Sequence, residues 1–467
     1  MTGSKRPPHD DRESAPDELV EVPEGGLSRG LRLGAALAGA VGKAAARNWL
    51  RPGSRAGANA AERADGERLA GTLGSLKGLS MKLGQMLSYV DLQTPEGWKQ
   101  ALSRLQHESP PLSHEMVSEV VEQELGRSPE AIFAAWDPKP IAAASIGQVH
   151  RARLRDGGEV AVKVRYPNID RIMRQDLDSF ELVSRFGGFL MPKLDSAELI
   201  AELRERFLEE CDYRKEAESQ ILFRDFFESE EGVVIPRVHA EYCSERVLTS
   251  DLIDGQRFDD FARRASPTER NHAARLIHNF AFKSIFGLAA LNCDPHPGNY
   301  LFPSGGVAFL DFGCVRRFEA GMLQEWRRML RAALEQDHKG FRGAVVALGL
   351  AEEGGSFDFE AHYAQYLYLI RPWLSEKPAA LTPDFVTRTY RTLLVSNPNR
   401  TKLKMPRELL FVNRLQWGLY SVLAQLGSTQ SLRDEILDIV YDAEEARPPP
   451  FSESEVGRYL RALHPEQ

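Results

Sequence analysis

Lys163, Asp294, Asn299 and Asp311 form a set with chemical meaning. Lys163 closes the apolar run V-A-V-K, Asp294 and Asn299 stand five apart in N-C-D-P-H-P-G-N, and Asp311 comes directly before Phe312-Gly313. Phosphate groups carry several negative charges, so a fixed cation must meet them, and Lys163 can be that cation. Magnesium takes oxygen ligands, which Asn299 and Asp311 can supply. A further carboxylate, Asp294, can orient an attacking hydroxyl or water. Each piece alone is common, but all of them in this order make up the constellation used for phosphoryl transfer. The residues therefore predict a site for ATP and Mg2+. His296, between two prolines, has a competing reading as a transition-metal ligand beside Asp294. No second His or Cys stands at ligand spacing, so a ring that hydrogen-bonds the loop backbone is preferred.

These residues need elements to hold them. Ile146 to Ala152 and Val160 to Val164 alternate with period two around Asp156-Gly157-Gly158, which predicts a hairpin. Segment 113–136 reads as a helix pair ending at Asp137-Pro-Lys-Pro140, and Ser196 to Phe227 as a charged helical region. Short strands are expected at Val233 to Ile235, Arg246 to Leu252, Tyr300 to Phe302 and Val307 to Leu310, with helices dominating after Gly255. From Glu67 to Asp91 apolar residues recur at helical spacing. Gly71, Gly74 and Gly78 give that helix a second face of small residues, suited to close packing. Strands first and helices after predict an α+β, two-lobed architecture.

With 467 residues, 42% hydrophobic and 27% charged, the composition is that of a globular chain of several units. A net charge of −8 argues against a general nucleic-acid binder. Cys211, Cys243, Cys293 and Cys314 form no C-x-x-C pair, so a reducing compartment is expected rather than a disulfide framework. No apolar run reaches the roughly 20 residues of a bilayer span. Ser28 to Arg55 carries Arg29, Arg32, Lys43, Arg47, Arg51 and Arg55 and no acid. Such a segment either packs as a helix on the rest of the protein or lies on an anionic membrane surface.

The sequence also resembles a known family, the ABC1/ADCK/UbiB (AarF) atypical protein-kinase-like proteins. Asp294-Pro-His-Pro-Gly-Asn299 looks like its signature, and Lys82-Leu-Gly-Gln85 resembles its KxGQ motif. Ala142-Ala-Ala-Ser-Ile-Gly-Gln-Val-His150 resembles its alanine-rich nucleotide loop, and Glu210-Cys-Asp212 its ExD segment. Asn413-Arg-Leu-Gln-Trp-Gly418 is similar too, though less diagnostic. The resemblance implies a two-lobed protein-kinase-like fold, with a small β-rich N-lobe, a helical C-lobe and a family-specific N-terminal helical extension. On that view residues 1–27 are a disordered acidic tail and 28–57 the basic apolar segment. The extension is 58–136, the N-lobe with inserted helices 137–255, and the C-lobe 256–467.

The implied roles follow residue by residue. Lys163 would hold phosphates and pair with Glu216, Asp294 would be the catalytic-loop carboxylate, and Asn299 and Asp311 would bind Mg2+. Ala142, Ala143, Ala144, Ser145, Ile146, Val149, Ser250, Asp251 and Ile253 would line the ATP site with Lys163. Lys82, Gln85, Glu210 and Asp212 would form a family-specific regulatory set. Two departures stand out: Asn292 replaces the usual His two before the catalytic Asp, and Cys293 the usual Ala. Asn can still donate within the loop. Alanine Cβ atoms keep the backbone from closing on phosphates as glycine allows, so slow turnover or altered nucleotide preference is expected.

The expected function is an atypical kinase or ATPase that supports quinone or isoprenoid-lipid metabolism. Nucleotide, a peripheral membrane or lipid contact and quinone-biosynthesis proteins are the implied partners, with no nucleic acid. The expected location is cytoplasmic, peripheral on the inner face of a membrane where the basic segment binds one. There is no Ala-Pro-Glu after Asp311, and no Ser, Thr or Tyr from 311 to 355, so protein phosphorylation is disfavoured. A nucleotide-binding pseudokinase scaffold and a small-molecule phosphotransferase remain as alternatives; the KxGQ and ExD segments argue against the latter.

Overall fold

The computed structural model describes residues 112–144, 146–171, 174, 210–395, 397–400, 402–404 and 406–452. The acidic tail, the basic segment, the helix expected over 67–91 with Lys82 and Gln85, and Ser145 lie outside the described residues.

Helix α1 (His114–Leu125) begins where the Ser113 hydroxyl accepts from the Met116 N–H and ends at Gly126, with φ +77°. Val117, Val120 and Val121 make its buried stripe. A single turn, α2 (Pro129–Ile132), leads to strand β1 (Ala135–Trp136). The expected helix pair over 113–136 therefore stops at Ile132. Trp136 stacks on His150 at 4.8 Å and Ala135 pairs with Arg153, which draws this end of the segment into the sheet. Strand β2 (Ala142–Ala144) and β1 occupy opposite ends of the same edge of β3 (Gly147–Arg153). A turn in which the Gly158 N–H donates to Asp156 Oδ1 leads into β4 (Glu159–Arg165). Alternation then decides which side chains go where. Val160, Val162 and Val164 point into a core shared with α1, so Lys163 must point to the other face. The described end of the expected helical extension is thus packed against the small lobe's own sheet.

Helix α3 (Tyr213–Phe226) starts at Asp212, whose carboxylate accepts from the Arg214 N–H. After β5 (Val233–Val234), strand β6 (Val247–Asp251) completes the small-lobe sheet beside β4. The large lobe opens with β7 (Gln256–Arg257) and α4 (Phe258–Arg264). Helix α5 (Pro267–Leu288) carries a full capping box between Ser266 and Glu269. It is buried along much of its length, as expected of a helix that others pack around. Beyond it come β8 (Ala290–Asn292), β9 (Tyr300–Phe302), β10 (Val307–Phe309) and β11 (Val315–Arg317). Strands β5, β10, β9 and β7 form one sheet, and β8 pairs with β11.

Helices α6 (Ala320–Leu334), α7 (His338–Ala347), α8 (Phe359–Leu369), α9 (Pro383–Tyr390), α10 (Arg407–Gln425) and α11 (Arg433–Val440) follow. A two-residue pair, β12 (Ala379–Ala380) with β13 (Thr429–Gln430), also lies in this helical part. Strands so short, like β1, β5 and β7, carry no readable period and are set by tertiary contact. Among the described residues no helix is long and apolar enough to cross a membrane.

The core around α5 holds a buried histidine, His278, which is fully enclosed and accepts from the Trp373 indole N–H at 3.0 Å. Burial pushes its pKa down to about 4, so it stays neutral in the folded state. The unfolded ring titrates near 6.5, so this contribution to stability is complete above pH 6.5 and is lost as pH falls toward 4. The loss reaches roughly 3 kcal/mol. In urea titrations His278→Gln should flatten the fall in stability between pH 6.5 and 4.5 relative to the parent protein. An unchanged slope would remove His278 as a cause.

Candidate active site

The face of the small-lobe sheet that carries Lys163 also carries its cross-strand neighbours. Register places Ala142, Val149, Lys163 and Leu248 in one row across four strands. The Lys163 ammonium donates to both Glu216 carboxylate oxygens, at 2.8 and 2.9 Å, and lies 3.5 Å from Asp311 Oδ2. Its side chain is 14% exposed and that of Glu216 only 4%. Burial alone would lower the Lys163 pKa, but the Asp311 and Glu216 carboxylates outweigh it and raise it well above the ordinary value. Burial pushes Glu216 up to about 7, with Lys163 pulling the other way. Glu216 sits in the first turn of α3, where the helix dipole favours a negative charge, and the Phe312 N–H bonds to its carboxylate. Tyr213, one turn earlier, puts its buried ring 5.0 Å from the ammonium.

The second half of the site is a loop stiffened by its own side chains. Asn299 donates its amide N–H groups to the Asp294 main-chain oxygen at 3.0 Å and to Asp294 Oδ2 at 3.1 Å. That fixes both side chains and turns the Asn299 amide oxygen away from Asp294. Asn292 donates to the Asp311 main-chain oxygen at 2.7 Å and accepts from the Asp294 N–H at 3.3 Å. Asn292 thus ties the Asp294 loop to Asp311. Gly313 donates to Asp311 Oδ1 at 2.9 Å, and Cys293, fully buried, donates its N–H to the Cys314 oxygen. His296 Nδ1 accepts from the Gly298 N–H at 3.1 Å, within its own loop. Asn292, Asp294, Asn299 and Asp311 all line one small cavity floored by Phe280 and Leu419. Phe312 is buried against Phe223 of α3 at 5.3 Å, which holds Asp311 beside the Lys163 pair.

Other expected site residues divide. Ala142, exposed on β2, and half-buried Val149 stand in the row with Lys163, whereas Ala143, also exposed, pairs with Gln148 and so lies on the opposite face. Ser250 pairs with Ala161 and so shares the face of Lys163, and Ile253 follows just beyond β6. Ile146 is buried, and its carbonyl accepts from the Tyr166 N–H. Asp251 pairs with Val160, which places its side chain on the face opposite Lys163, where His239 Nε2 holds it at 2.8 Å. The expected regulatory set is only half described. Glu210 is buried, while Asp212 serves as the N-cap of α3 and meets Arg214 at 3.2 Å.

Two glycines matter that sequence reasoning did not place. A Cβ on Gly418 of α10 would lie 2.5 Å from Pro295, so this helix presses directly on the catalytic-loop candidate. A Cβ on Gly147 would lie 2.3 Å from the Val164 carbonyl and 2.8 Å from the Tyr213 hydroxyl. The signal for Gly418 was the N-R-L-Q-W-G stretch, whose contact with residue 295 nothing in the linear order announces.

A family model described as the ABC1 atypical kinase-like domain matches residues 104–344. The mitochondrial atypical kinase COQ8 of Saccharomyces cerevisiae is 27% identical over 372 residues, covering 78% of this chain and 74% of that protein. Rat mitochondrial atypical kinase COQ8B is 30% identical over 278 residues, covering 59% and 52%. The chloroplastic ACTIVITY OF BC1 COMPLEX KINASE 1 of Arabidopsis thaliana is 37% identical over 241 residues, covering 50% and 35%. The chain therefore spans about three quarters of the yeast protein and about half or less of the other two. A solved structure of a Rv3197–erythromycin complex from Mycobacterium tuberculosis superposes with a TM-score of 0.62 at 28% identity, covering 80% of this chain and 95% of that one.

Removing one partner of a buried ion pair leaves an uncompensated charge. Glu216→Met should therefore cost roughly 3–5 kcal/mol, and the double variant Lys163→Met/Glu216→Met distinctly less. Urea unfolding of the four proteins in the cycle measures this; a double-variant loss equal to the sum of the two single losses would show that the pair is not coupled. Gly418→Ala should destabilise by about 1–3 kcal/mol through overpacking on Pro295, against the helix propensity that alone would favour alanine.

Proposed function

This chain belongs to the family of ABC1 atypical kinase-like domains, and from that premise we propose that it binds ATP with Mg2+ at the Lys163–Asp311 site and catalyses phosphoryl transfer or ATP hydrolysis. The observation that carries the reading is the convergence of a buried, anion-stabilised lysine with Asp294, Asn299 and Asp311. The donor set fits the ligands. Lys163 is a cation held in place before any phosphate arrives, and Asn299 and Asp311 offer the oxygen atoms that magnesium takes. The metal, when bound, would neutralise charge on the phosphates. The protein's own residues would do the rest. Glu216 would hold Lys163 extended toward the phosphates. Asn299, by gripping the Asp294 carboxylate, would orient it to accept a proton from the attacking hydroxyl or water.

The acceptor we propose is not a protein. Only residues 313–319 separate the Asp311 turn from α6, and β11 occupies three of them in its pairing with β8. That leaves no extended platform for a peptide. A quinone-precursor or isoprenoid-lipid acceptor, with the atypical kinases COQ8 among the relatives, is the corresponding substrate class. A second reading, nucleotide binding with only incidental turnover, is favoured by the alanine strand. Ala142, Ala143 and Ala144 are registered against Val149, Gln148 and Gly147, an edge pairing that limits how far the backbone can fold over phosphates.

Magnesium-dependent phosphate release from ATP should be detectable, and higher with anionic liposomes or quinone-precursor mimics. Asp294→Asn should lower the rate about 10²–10⁴-fold while leaving nucleotide affinity nearly unchanged. Asp311→Asn should weaken the stabilisation that Mg-ATP gives in a thermal-shift assay. Undiminished turnover in Asp311→Asn would sink that residue's role. Strong Mg-ATP stabilisation without phosphate release would favour the binding-only reading.

A further inference from the structure

We propose that the large lobe contains a second ligand site, separate from the nucleotide site: an apolar cleft that takes a small uncharged molecule, about one fused-ring pair in size, carrying a hydroxyl group. Helix α8 presents His362, Gln365, Tyr366 and Leu369 at positions i, i+3, i+4 and i+7, a single stripe. All four line a cleft of about 130 Å³, whose opposite walls are apolar side chains of α6 and α10 such as Leu330 and Val412. A volume of this order is enough for an aromatic ring, and most of the lining is apolar.

Two polar atoms give the cleft its selectivity. Gln365 is 1% exposed, and its Oε1 has no hydrogen-bond partner among the described residues. Its amide nitrogen donates to the Thr392 carbonyl at 3.2 Å, which fixes the side chain so that the oxygen is left for the cleft. Thr392 belongs to a π-helical turn, Arg391–Val395, that supplies Leu393 to the same wall. His362 Nε2 is likewise buried without a partner among the described residues. Burial pushes that ring's pKa down to about 4, so it is neutral and has one donor and one acceptor nitrogen. An unsatisfied buried acceptor is costly, and a ligand donor would relieve that cost. A hydroxyl has both functions the two atoms call for, a donor for Gln365 Oε1 and an acceptor for a ring N–H of His362. None of Lys163, Glu216, Asp294, Asn299 or Asp311 lines this cleft.

The full chain can be titrated calorimetrically with 2-naphthol and with naphthalene, which lacks the hydroxyl. One 2-naphthol should bind per chain, at least tenfold more tightly than naphthalene. Gln365→Met should abolish that preference, and Leu330→Trp should abolish binding of both by filling the cleft. If Leu330→Trp no longer unfolds cooperatively, Val412→Phe fills the same space from the other wall. Mg-ATP at saturation should leave the affinity for 2-naphthol unchanged. Absence of saturable binding, equal affinity for the two probes, binding that survives the filling variants, or displacement by Mg-ATP would each overturn the proposal. Failure of ATP hydrolysis would leave it standing, since no part of it depends on turnover.

Discussion

The arrangement of the site depends on one constraint: a lysine ammonium taken almost entirely out of water. Lys163 cannot sit where β4 puts it without two carboxylates close by. Glu216 arrives on α3 and Asp311 on the loop after β10, from sequence positions 53 and 148 residues away. The three meet only when the small-lobe sheet, α3 and the large lobe are docked together. Folding of the two lobes and assembly of the site are in this sense one event. The Phe223–Phe312 contact and the bond from the Phe312 N–H to Glu216 couple the same elements through packing and through the backbone.

Rigidity on the other side comes from a chain of short contacts. Asn292 ties the Asp311 carbonyl to the Asp294 loop, Asn299 ties Asp294 to itself, and His296 ties its own turn to Gly298. Pro295 then rests on Gly418, so α10 backs the loop from below. Each contact is modest, about 1 kcal/mol for a typical hydrogen bond. Their joint effect is to leave Asp294 and Asn299 few alternative orientations, which is what positioning catalysis requires.

The sequence made the charged half of this site legible, because charge burial and metal chemistry restrict residue type and spacing. Lys163, Asp294, Asn299 and Asp311 could be picked out from position and neighbours, as could the α+β class and the β3–β4 hairpin. Less legible was anything set by contact between distant segments. Ala135 and Trp136 join the sheet because of Trp136 on His150, and the two-residue strands β12 and β13 have no period to read. Only the family resemblance suggests Asp251 as a site residue, and register sends its side chain to the face opposite Lys163. A one-residue difference along a strand reverses the face, and only pairing fixes it.

The alanine strand brings these arguments together. In a glycine-rich loop the backbone can fold over phosphates, because glycine reaches conformations closed to other residues. Here Ala142, Ala143 and Ala144 are held as an edge strand beside β3, and Gly147 is the residue that admits close approach. That glycine, however, faces inward: it makes room for the Val164 carbonyl and the Tyr213 hydroxyl, not for a ligand. The one backbone position with freedom is used to seat α3 against the sheet, and so to bring Glu216 to Lys163. The chain has put its conformational latitude into fixing the ion pair, while the alanine strand on the other edge of β3 stays comparatively stiff.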